Sequence, residues 1–130
     1  MKKTRKVRRS FVIVFTVMCM LISTTIFNVS ASTATKTSTT SNGYRVSSTA
    51  SFSGKAVTGT GRVISGGPCS IKVTVQGYYK INGRVYSCKI SDKVGNTQKL
   101  TKKISGQSTI TKAVCTSVFN SETTITTTAS

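Results

Sequence analysis

An Asn-Gly pair at positions 82 and 83, set between two runs of alternating apolar and polar residues, constrains this chain more than any other feature. The stretch reads YYKINGRVYSCKI, Tyr78 to Ile90. A two-residue type I′ turn needs φ > 0 at both central positions, and Asn-Gly meets that need readily. Upstream, Cys69, Ile71, Val73, Val75, Tyr79 and Ile81 share one parity, and Ser70, Lys72, Thr74, Gln76, Tyr78 and Lys80 share the other. That pattern predicts a strand with one buried and one wet face. The turn fixes the register of its partner. Ile81 is expected opposite Arg84 and Gly77 opposite Cys88, with Tyr86, Cys88 and Ile90 on the buried side.

From Tyr44 onward period 2 recurs and no window carries a 3.6-residue period, which predicts an all-β chain. A first strand places Tyr44, Val46, Ala50 and Phe52 on one parity before SGK at 53–55. A second, Ala56 to Ser65, has Val57 and Val63 on one face with Gly59 and Gly61 between them, a sign of close packing or a bulge. The hairpin strands are Cys69–Ile81 and Arg84–Ser91; weaker ones follow at Thr97–Ile104, Thr109–Phe119 and Thr123–Thr128. About seven short antiparallel strands predict a single small β-sandwich, with the immunoglobulin-like form as one version and a small β-barrel as the alternative.

Upstream of this domain the chain opens MKKTRKVRRS and runs into the apolar block FVIVFTVMCMLI. A charged segment followed by an apolar one is the order of a secretory signal. Val29, Ser30 and Ala31 supply a cleavage site before Ser32, so residues 1–31 are expected to be removed. The alternative is an uncleaved membrane anchor, for which Phe11 to Phe27 only reaches the lower limit of roughly 17 residues. Thr16, Val17 and Met18 ahead of Cys19 are too large for a lipobox. The run STATKTSTTSN, residues 32–42, has no apolar periodicity and is read as a disordered Ser/Thr spacer before the domain at 43–130.

Six of the 19 basic residues lie in the first ten positions, which leaves thirteen against Asp92 and Glu122 in the rest of the chain. So unbalanced a charge attracts polyanions at long range and adds self-repulsion to the folded state. The expected partners are anionic cell-envelope polymers or a membrane surface, with nucleic acid bound only without specificity; nothing points to a particular protein partner. The candidate anion-binding face is the wet side of the hairpin, Lys72, Tyr78, Lys80, Lys89 and Lys93. Its register sets Lys72 opposite Lys93, a destabilising arrangement unless the face stays hydrated or meets an anion. Tyr78 among lysines could stack on a base or sugar. The plainer reading is that these lysines keep the surface soluble and protect an edge.

Three cysteines remain beyond the signal, an odd number for an oxidising compartment. With Gly77 opposite Cys88, Cys69 lies eight residues along its strand from that level, roughly 26 Å away. A disulfide tolerates Cα separations up to roughly 7 Å, so Cys69–Cys88 conflicts with the expected register. If the later strands continue as a meander, with SGQS at 105–108 setting Ile104 opposite Thr109, Cys115 returns to the level of Cys69. Cys69–Cys115 is therefore the expected bridge, although Ile110, Val114 and Val118 make the more apolar parity of that strand. Cys88 is expected as a buried free thiol beside Gly77.

The chain has no histidine and only two carboxylates, so the usual general bases, catalytic triads and glycosidase pairs cannot be assembled. Cysteine spacings of 19 and 27 residues do not match zinc sites, and Gly-x-Gly at 59–61 precedes a strand rather than a helix. No catalytic residue, metal or cofactor is called for. The layout of export signal, Ser/Thr spacer and one alternating all-β domain resembles that of small exported Gram-positive bacterial proteins of unknown function. The resemblance implies export and no particular activity. The expected function is thus that of a secreted, non-enzymatic cationic β module held loosely at the cell envelope, with a cationic antimicrobial or toxin-like protein and a structural adhesion or matrix module as alternatives.

Overall fold

The structure, a computed structural model, describes residues 31–130. The expected export signal or anchor, residues 1–31, lies outside the described residues except for Ala31. Eight strands and no helix make up the described chain: β1 Ala31–Thr39, β2 Arg45–Ser53, β3 Ala56–Ser65, β4 Cys69–Ile81, β5 Arg84–Thr97, β6 Lys99–Ser105, β7 Ile110–Phe119 and β8 Thr123–Ala129. They form two antiparallel four-stranded sheets, ordered β1-β2-β3-β6 and β5-β4-β7-β8. The sheets stay separate, so the barrel alternative is not what forms.

Alternation decides which face of each strand turns inward. Val46, Ala50 and Phe52 of β2, with Val57 and Val63 of β3, face Ile71, Val73, Val75 and Tyr79 of β4 and Ala113, Cys115 and Phe119 of β7. Both sheets and this whole core are formed within residues 31–130. The sheets approach closely because glycine stands where a side chain would intrude. A Cβ at Gly59 would collide with Val75 Cγ2 and stand 2.8 Å from Cys115 Sγ; one at Gly61 would stand 2.8 Å from Ile71 Cγ2. Gly77 answers from the opposite sheet, where a Cβ would run into Val57 Cγ2. The glycines read from the sequence as a close-packing signal therefore mark the inter-sheet contact itself. Polar groups also cross this layer without being left unpaired: the buried Ser48 and Ser117 hydroxyls are 2.8 Å apart, and Thr127 Oγ1 donates to the Ser48 carbonyl at 3.0 Å.

The hairpin register agrees with that derived from the turn, including Ile81 opposite Arg84 and Gly77 opposite Cys88. Asn82 and Gly83 have φ of 51° and 77°, the left-handed values a type I′ turn requires. Four expectations need correction. The segment read as a disordered spacer forms β1, paired with β2 along its full length. It is an edge strand held by the backbone ladder and by hydroxyl pairs such as Thr35–Thr49 at 3.0 Å, so it carries little of the apolar alternation that reveals a strand in sequence. The meander does not form either: β6 crosses to pair with β3, and β7 pairs with β4.

The cysteine pairing falls with the meander. Cys115 stands opposite Val75, six residues and roughly 20 Å along β4 from Cys69, and all three cysteines are free thiols. Cys115 nevertheless faces the core, because a bulge between Tyr78 and Tyr79 lets Ile110 and then Ala113, Cys115 and Phe119 point inward. Cys88 is half-buried rather than buried, its thiol 3.8 Å from the Gly77 carbonyl.

Replacing Gly59 with valine should destabilise the domain by about 1–3 kcal/mol through overpacking against Val75 and Cys115, read as a lowered urea midpoint. Alkylation of the unfolded chain without reductant should label Cys69, Cys88 and Cys115 alike. In the folded chain Cys88 should react first, since Cys69 and Cys115 are buried.

Candidate anion-binding site

The outward face of the β5-β4-β7-β8 sheet carries all five residues expected to meet an anion. Even-numbered positions of β4 point outward, and the register sets Lys72 opposite Lys93, Gln76 opposite Lys89, Tyr78 opposite Ser87 and Lys80 opposite Val85. The five do not converge. Lys72 and Lys80 are eight residues apart on one strand, roughly 26 Å, so they mark the two ends of a long face. Only Lys72 and Lys93 are direct cross-strand neighbours. They line a shallow depression of about 500 Å³ together with Ser70, Val118 and Ser121.

The β7–β8 turn supplies the second wall of this depression. Asn120 and Ser121 both take left-handed φ values, 52° and 56°, and Asn120 clamps the start of β4 by donating its N–H to the Ser70 carbonyl at 2.8 Å and accepting the Ser70 N–H at 3.2 Å. Ser70 and Ser121 are thereby brought beside the two ammonium groups. The depression thus offers two full positive charges, hydroxyl donors and an apolar floor at Val118, a set suited to a phosphate or carboxylate.

Neither carboxylate of the described chain neutralises that pair. Asp92 lies on the inward parity of β5, where its Oδ2 is 2.9 Å from Lys102 Nζ of β6 and its Oδ1 accepts the Lys93 N–H at 2.8 Å. The Lys102 hydrogen bond, aided by that backbone N–H, holds the Asp92 carboxyl below the usual carboxylate range. Glu122, next to Ser121, accepts a hydrogen bond from Ser41 of the β1–β2 turn at 2.8 Å. Tyr78 is partly engaged by the protein itself: Lys112 Nζ stands 5.3 Å from its ring centroid. One face of that ring is covered, which narrows the room for a stacked base or sugar.

Sequence reasoning missed a second like-charge pair. Arg62 of β3 stands opposite Lys99 of β6 on the outward face of the other sheet. Both line a shallow depression of about 480 Å³ with Thr37, Ser47, Thr49 and Thr60. β1 supplies Thr37 and β6 supplies Lys99, and neither the strand at β1 nor the pairing of β6 with β3 is disclosed by the sequence. Both cation pairs occupy the end of the sheets opposite the Asn82-Gly83 turn. Comparison with protein families, with curated proteins and with solved structures found no match to this chain.

Proposed function

We propose that this protein is an exported, non-enzymatic cationic module that attaches to anionic cell-envelope polymers, with Lys72 and Lys93 as the primary contact. The observation that carries the reading is the Lys72–Lys93 pair, two ammonium groups directly opposite in a depression that no carboxylate neutralises. Like charges in that position cost stability, and an anionic ligand turns the same arrangement into an attraction. Arg62 and Lys99 repeat it on the outward face of the other sheet at the same end of the molecule, a second and separate contact for a polyanion. Export rests on the charged and apolar order of residues 1–31.

The scaffold under this reading is immunoglobulin-like. Taking β2 as the first strand, β2, β3 and β6 occupy the positions of strands A, B and E, and β4, β7 and β8 those of C, F and G. β5 then extends the C strand's sheet as C′ does in variable-type domains, and β1 is an added edge. Such a frame holds Lys72 on central β4 and Lys93 on the adjoining edge strand β5, on the face away from the core.

Charge reversal tests the assignment. Lys72→Glu with Lys93→Glu should weaken binding to polyphosphate roughly tenfold or more at low ionic strength, with the melting temperature nearly unchanged because both side chains are exposed. Wild-type and variant affinities should converge as salt rises and the Debye length shortens. Equal affinities at low salt would overturn the role of this pair.

A further inference from the structure

The opposite end of the molecule has a different chemistry. Lys80 and Arg84 flank the Asn82-Gly83 turn, Lys55 lies in the β2–β3 turn and Lys112 is near the start of β7; all four are exposed. Backbone hydrogen bonds draw these turns together: Gly106 N–H donates to the Lys55 carbonyl at 2.9 Å and Ile110 N–H to the Gly54 carbonyl at 2.8 Å. Ile110 stands opposite Tyr79, which anchors the β4–β5 hairpin at the same level. Both side-chain carboxylates of the described residues are elsewhere, Glu122 in the turn at the far end and Asp92 opposite Val73 and bound to Lys102.

The hairpin tip also leaves apolar surface uncovered. Val85 is 62 % exposed on the outward side and Tyr86 43 % exposed on the inward side. Tyr86 is held in place by stacking on Tyr79, with ring centroids 6.0 Å apart. A soluble polyanion satisfies the cations but gives Val85 and Tyr86 nothing. The boundary of a bilayer satisfies both, since phosphate head groups lie beside apolar chains and tyrosine favours that boundary. The first described strand also starts here: β1 begins at Ala31 opposite Ser53, beside the β2–β3 turn.

We propose that this end docks on an anionic phospholipid bilayer, with Val85 and Tyr86 entering the head-group boundary and Lys55, Lys80, Arg84 and Lys112 meeting lipid phosphates. The proposal goes beyond polymer attachment and uses residues that the Lys72–Lys93 depression does not, so each can fail without the other. Orientation follows from it: the turn end faces the membrane, and the two cation pairs at the far end face away, toward any wall polymer.

Cosedimentation of residues 31–130 with phosphatidylglycerol vesicles and with phosphatidylcholine vesicles tests it. Binding is expected to the first and not the second, and to weaken about tenfold in Val85→Asp and in Tyr86→Ser. Val85→Asp alters an exposed position, so its melting temperature should stay near that of the wild type even if Tyr86→Ser, which loses the Tyr79 stack, is less stable. Lys72→Glu with Lys93→Glu should leave vesicle binding within about twofold while weakening polyphosphate binding. Absence of binding to phosphatidylglycerol vesicles, or binding that a folded Val85→Asp variant retains in full, would overturn the proposal. Binding to polyphosphate alone would overturn it too, and would leave the polymer reading standing.

Discussion

The close approach of the two sheets at Gly59, Gly61 and Gly77 is the constraint on which the rest of the structure depends. At these three positions a single methyl group would meet Val75, Cys115, Ile71 or Val57 of the facing sheet, so the central strands can interdigitate only with glycine there. Once β3 and β4 are locked face to face, a one-residue slip in either would send the buried valines and isoleucines of that strand to solvent. The parity of the neighbouring strands follows from the ladders, and so does the outward position of the lysines. A chain with few large aromatics and one proline thus specifies its layer spacing by small residues rather than by bulk.

Parity separates most of the core from most of the surface. The inward positions hold mainly apolar side chains, glycine and a satisfied hydroxyl pair, with the Asp92–Lys102 ion pair at the sheet edges, while the outward positions hold mainly lysine, serine and threonine. Charge is therefore free to accumulate outside without touching the packing, up to the limit set by repulsion across strands. The structure reaches that limit in two places, Lys72–Lys93 and Arg62–Lys99, both at one end. At the other end the cations are interleaved with exposed Val85 and Tyr86 instead. A cationic surface that merely aided solubility has no need to set its charges opposite one another, nor to gather apolar side chains among them.

How far the sequence discloses this depends on whether the information is local. The hairpin is legible because Asn82-Gly83 fixes both the turn and the register, and the expected partners of Lys72, Gln76, Tyr78 and Lys80 are those the structure shows. The bounds of β3 and β4 were likewise legible, since Gly66, Gly67 and Pro68 separate two alternating runs. β1 was not: on a sheet edge its inward side needs little more than Ser32 and Ala34, and a run of threonine and serine reads equally as linker. The partners of β6 and β7 are set by long-range packing, with Leu100 and Ile104 covering the β3 edge, and no turn residue announces a crossing between sheets. The bulge at Tyr78–Tyr79 reverses the apparent apolar parity of β7, which hid the inward course of Cys115 and Phe119. Of the candidate site, Lys72 and Lys93 could be paired from the hairpin alone. Lys112 over Tyr78, Ser121 beside Lys72, and the Arg62–Lys99 pair all depend on those non-local partners.

The central claim is that polyanions meet this protein at built cation pairs rather than at its charge in general. The most direct measurement is a residue-resolved amide NMR titration of residues 31–130 with polyphosphate at low salt. The account predicts shifts concentrated at Ser70, Lys72, Lys93, Val118 and Ser121, with a second group at Arg62 and Lys99. Shifts of similar size at every exposed lysine, including Lys103 and Lys112 away from both depressions, would contradict it.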